Sequence, residues 1–70
     1  MSNNEQIVSD RVVRVSIIQR PELGAAAVEI LARQQAEAAN PGLRAVAVRS
    51  VASYPLDWGR WVDLEVSLAV

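Results

Sequence analysis

Hydrophobic and polar positions change period twice along this chain. In RVVRVSIIQ, from residue 11 onward, Val13, Val15 and Ile17 fall on one side and Arg14 and Ser16 on the other, which predicts a half-buried β-strand. Residues 22 to 39 then follow the helical period. Leu23, Ala27, Val28, Leu31 and Ala38 project to one broad face, and Glu22, Glu29, Arg33 and Glu37 gather opposite. Pro21 and Glu22 supply a first-turn signal, and Asn40, Pro41 and Gly42 a stop. Gln34 and Gln35 project onto or near the apolar side, either at its margin with their amides in water or hydrogen-bonded across a subunit contact.

Alternation returns after the stop. A second strand is predicted from Leu43 to about Ser53, with Val46 and Val48 on one face and Ala45, Ala47 and Arg49 on the other. WVDLEVSLAV closes the chain as the clearest strand, its Val62, Leu64, Val66, Leu68 and Val70 alternating with Trp61, Asp63, Glu65, Ser67 and Ala69. YPLDWG lies between the two as a hairpin connection. The predicted fold class is α+β: a β-α-β-β chain forming a three-stranded antiparallel sheet, third strand in the middle, with one helix packed on one face. Residues 1–9, polar and aperiodic, read as a flexible N-terminal arm, and 10–70 as one domain. Arg14, Ser16, Ala45, Ala47, Arg49, Trp61, Asp63, Glu65 and Ser67 are expected on the sheet face that the helix leaves uncovered.

At 70 residues the core of such a domain supplies only about 3 to 5 kcal/mol by itself. With no Cys and no His, neither disulfides nor a zinc site can supplement it, so self-association is expected. The absence of those residues also removes the thiolate nucleophile and the imidazole base, so no enzymatic activity is expected. No serine sits in a GxSxG elbow, and glycines 24, 42 and 59 are too scattered to cradle phosphate. Asp63 and Glu65 share a strand face about 7 Å apart, a spacing open to acid–base work. Arg14 and Arg49 on the same face make cross-strand ion pairs the expected reading.

The seven cations are all Arg, dispersed from 11 to 60, and the net charge is −1, which speaks against a nucleic-acid partner. Apolar runs are too short for a membrane span and MSNNEQ lacks the pattern of a signal peptide, so a cytoplasmic protein without membrane contact is expected. All the aromatic side chains, Tyr54, Trp58 and Trp61, lie in YPLDWGRW. Three roles stay open for them: packing across the hairpin base, a stacking wall for a planar ligand, or an anchor for another protein.

In its element order and lengths, in the helix text AAAVEILARQQ, the exit GLRAVAV and the closing WVDLEVSLAV, residues 11–70 resemble the dodecins. These are small proteins whose β-α-β-β subunits assemble into hollow dodecamers that bind flavins. The resemblance implies a homo-oligomer of up to twelve subunits and a flavin, FMN or riboflavin, as ligand. It places Ala45, after Leu43 and Arg44, where flavin-binding members present a Trp, and Glu65 where they present a Gln. Ala cannot stack on an isoalloxazine, and a carboxylate only accepts hydrogen bonds. Trp61 is the substitute stacking surface, so the candidate ligand-binding residues are Ala45, Arg49, Trp61 and Glu65. The candidate interface residues are Arg14, Gln34, Gln35, Tyr54, Trp58 and Trp61. A structural or adaptor protein, binding a protein partner through the outer face and the aromatic hairpin without any ligand, is the alternative.

Overall fold

A computed structural model describes residues 9–70; the expected N-terminal arm lies outside them except for Ser9. Four elements follow in the order β1 (Arg11–Gln19), α1 (Ala25–Ala39), β2 (Arg44–Leu56) and β3 (Gly59–Ala69). The sheet order is β1-β3-β2, antiparallel throughout, as the hydrophobic pattern predicts. Helix and sheet stack as two layers in a slab of 46 × 30 × 16 Å.

β3 supplies the centre of the core. Its inward residues Val62, Leu64, Val66 and Leu68 are buried beneath the helix, joined by Val15 and Ile17 of β1. The helix contributes Val28, Ala32 and Ala36, a stripe narrower and smaller than the periodicity suggests. Leu31 and Ile30 stay exposed, and Ala38 with them. With Val28, Ala32 and Ala36 facing the sheet, the bulkier Leu31 is left on the flank.

The helix begins three residues later than the sequence signals suggest. Pro21 takes the second position of a turn closed by the Leu23 N–H on the Arg20 carbonyl at 2.9 Å. Gly24 is the N-cap in extended conformation, and Val28 donates to its carbonyl across 3.2 Å. At the other end Leu43 N–H returns to the Asn40 carbonyl at 3.1 Å, with Pro41 and then Gly42 at φ 90° in the pattern of a type II turn. Glu37, expected among the solvent-facing charges, turns down to accept the Ala45 N–H on Oε2 at 2.9 Å.

β2 is longer than expected at its far end and carries two irregularities. Its register against β3 slips between Ala45 and Ala47 and again between Ser50 and Ala52, leaving Val46 and Val51 as extra residues. Each extra residue reverses the alternation. Ala45, opposite the buried Leu68, therefore lies on the helix side and packs against the core, contrary to its expected outer placement. Val46 is correspondingly exposed rather than inward. Only Asp57 and Trp58 form the hairpin turn; Tyr54, Pro55 and Leu56 belong to β2, and Gly59 opens β3. A side chain at 59 would collide with the Gln19 carbonyl, which accounts for the glycine there.

Candidate functional site

Four cross-strand rows make up the outer face, each read in the order β1, β3, β2. They are Val12–Ser67–Ala47, Arg14–Glu65–Arg49, Ser16–Asp63–Ala52 and Ile18–Trp61–Tyr54. No element among the described residues covers them. The last row is the most apolar and lies open to solvent, Ile18 being 44% exposed, Trp61 38% and Tyr54 54%. Tyr54 reaches this row because of the second β2 irregularity; strict alternation from Val48 would turn it inward.

The charged row is a trio. Arg49 donates to Glu65 Oε1 from Nε at 3.1 Å and from Nη2 at 2.9 Å, and Arg14 Nη2 stands 3.6 Å from Oε2. The Arg49 bonds foremost, with the charge of Arg14 adding to them, hold the Glu65 carboxyl below its ordinary range. Asp63 is tied differently. The Ser16 hydroxyl donates to its Oδ1 at 2.6 Å and the Trp61 indole N–H to the same oxygen at 2.8 Å. Those two donations, Ser16 first, lower its pKa as well. The carboxylates thus hold charge-assisted bonds to neighbours, and the Trp61 ring is held by its N–H while remaining exposed.

Of the candidate ligand-binding residues, the fold brings Arg49, Trp61 and Glu65 onto one face and leaves Ala45 on the other. Among the interface candidates, Arg14, Tyr54 and Trp61 share the outer face. Trp58 projects from the hairpin tip, with the Arg20 guanidinium 5.6 Å from its ring centre. Gln34 and Gln35 are exposed on the helix, far from the aromatic row. Ile18 and Ser16 were absent from both candidate sets. Their signal was present in β1 itself, where the even positions 12, 14, 16 and 18 must share the face opposite Val13, Val15 and Ile17.

Among the described residues no three His, Cys, Asp or Glu side chains lie close enough to hold a metal ion. No helix among them is long and apolar enough to cross a membrane. Comparisons with protein families, with curated proteins and with solved structures find no match.

Proposed function

We propose that this chain is a non-enzymatic, self-associating domain of dodecin type, holding a planar small molecule such as a flavin against Trp61 where copies meet. The observation that carries this reading is the uncovered row Ile18–Trp61–Tyr54 on the face opposite the helix. An apolar row of this width on a small domain marks a contact surface, and an indole fixed by its N–H offers a rigid stacking plane. Arg49 and Arg14 lie two rows from Trp61, beyond the row Ser16–Asp63–Ala52, and suit a phosphate such as that of FMN, and Glu65 accepts from a ring N–H. Ala45 takes no part in this arrangement. Such a protein stores or buffers its ligand, and the absence of His and Cys agrees with a role in binding.

Native mass spectrometry of gently purified protein tests the reading. The expected spectrum is a multiple of the chain mass, up to twelve, carrying an added small molecule. Trp61→Ala is expected to weaken binding of FMN or riboflavin about tenfold, in line with about 1 to 3 kcal/mol for a stacking contact. A ligand-free monomer, or unchanged affinity in the variant, would overturn it.

The adaptor reading has its own observation in Trp58, 53% exposed at the hairpin tip beside Arg20. On that reading Trp58→Ala abolishes capture of a protein partner and leaves ligand affinity untouched.

A further inference from the structure

The two edges of the sheet, neither of them paired with another strand among the described residues, are unlike one another. β2 has two irregularities, at Val46 and Val51, and Pro55 near its end, all devices that discourage pairing with another strand. β1 has none of them. Its nine residues run in unbroken register with β3 and contain neither Pro nor Gly, so its other edge is regular, and no strand among the described residues pairs with it.

The sequence of β1 is also symmetric in hydropathy about its midpoint. Read from either end, RVVRVSIIQ is polar, apolar, apolar, polar, apolar, polar, apolar, apolar, polar, with Val15 at the centre. We infer that β1 pairs antiparallel with β1 of a second copy about a twofold axis at Val15, joining two sheets into one of six strands. This inference rests on the self-association proposed above and names the edge and register through which it occurs.

Only a few registers keep both cores on the same face, because a one-residue slip would set inward residues beside outward ones. Centring on Arg14 would place that residue against its own copy, an opposition of like charges. Centring on Ser16 shortens the overlap and sets Arg14 opposite Ile18. Centring on Val15 uses the whole strand. It matches Val12 with Ile18, Val13 with Ile17, Arg14 with Ser16, Arg11 with Gln19, and Val15 with itself. No like charges are then directly opposed, the two copies of Arg14 lying diagonally across the axis, and every apolar position finds an apolar partner.

The helix supplies a second observation on the same side of the molecule. Gln35, Ala36 and Ala39 line a groove with Val13 and Val15 of β1, whereas Glu37 bonds to β2. At 100° per residue, the side toward β1 therefore continues through Ala27, Leu31, Gln34 and Ala38. A twofold axis normal to the sheet keeps both helices on one face and turns these flanks toward each other. That gives Leu31 apolar company, and it gives Gln34 and Gln35 amide partners across the axis.

Because the chain contains no Cys, single introduced cysteines report the register without background. Val12 and Ile18 are exposed on the outer face, so Val12→Cys and Ile18→Cys leave the core intact. The two variants are made together in one cell and oxidised mildly. A disulfide-linked dimer containing one chain of each kind is expected, since opposed residues lie within the roughly 4.4–6.8 Å between Cα atoms that a disulfide spans. Each variant made alone should stay unlinked, its two cysteines being about 20 Å apart in this register. Cross-linking within either single variant, or none in the mixture while native mass spectrometry still finds an oligomer, overturns the β1 pairing and leaves self-association standing. A monomeric mass overturns both.

Discussion

Asp63 shows how one residue organises the outer face. A single oxygen receives the Ser16 hydroxyl and the Trp61 indole, so the carboxylate links β1 to the aromatic row and fixes the ring. Its pKa is lowered mainly by the Ser16 bond, whereas that of Glu65 is lowered mainly by Arg49. The two groups are therefore separable. Ser16→Ala should raise the Asp63 midpoint toward the ordinary carboxylate range and leave Glu65 where it is, as read by NMR titration of the carboxyl carbons. An unmoved Asp63 midpoint would mean that the Ser16 bond is not populated in solution. For stability the sign is fixed: a carboxyl depressed in the folded state contributes above its unfolded pKa, and the contribution is lost as pH falls through the folded value. Both carboxylates thus favour the fold at neutral pH and cease to do so in acid.

Helix α1 is the element with the most evident local deficit. Its N-cap is Gly24, with no side-chain hydrogen bond to the first-turn N–H groups and no acidic residue in the first turn. The backbone at Gly24, φ −81° and ψ 171°, suits any residue, and a Cβ there meets nothing within 4 Å. Gly24→Asp should therefore stabilise the protein by about 0.5 to 1 kcal/mol, through capping, the helix dipole and a less flexible unfolded chain. Chemical denaturation measures it as a higher midpoint at unchanged slope. The late start of α1 was the less legible part of the chain, because Pro21 and Glu22 serve a tight turn as well as they serve a first helical turn. Element order, pairing and the β3 core were legible because strict alternation in VDLEVSLAV admits one inward set. Ala45 was misplaced for a physical reason. Period-two reading assumes unbroken pairing, and the register runs from Leu56 opposite Gly59 at the turn to Arg44 opposite Ala69 at the far end. Counting back from the turn leaves two residues of β2 without partners, which is the signal of the irregularities that moved Ala45 inward and Tyr54 outward.

At the scale of the whole molecule, the question is what supplements the core. The buried set is aliphatic, with no aromatic side chain in it: Val15, Ile17, Val28, Ala32, Ala36, Val62, Leu64, Val66 and Leu68. A core of this size supports about 3 to 5 kcal/mol, and truncating one buried leucine costs about 2 to 5. Leu64→Ala, at a fully buried position of the central strand, should therefore leave an isolated chain largely unfolded. Association changes that balance by mass action, since a partner that binds only the folded chain shifts the equilibrium toward it. For a dimer each tenfold rise in concentration adds about 1.4 kcal/mol, or about 0.7 per chain, which raises Tm by about 3 to 6 °C in a domain of this size. Thermal melts over two decades of protein concentration should show this slope in the native protein, and Leu64→Ala should regain its fold toward the concentrated end. A Tm independent of concentration would mean that the folded chain is stable alone, and the open β1 edge and aromatic row would then have to be explained without a second copy.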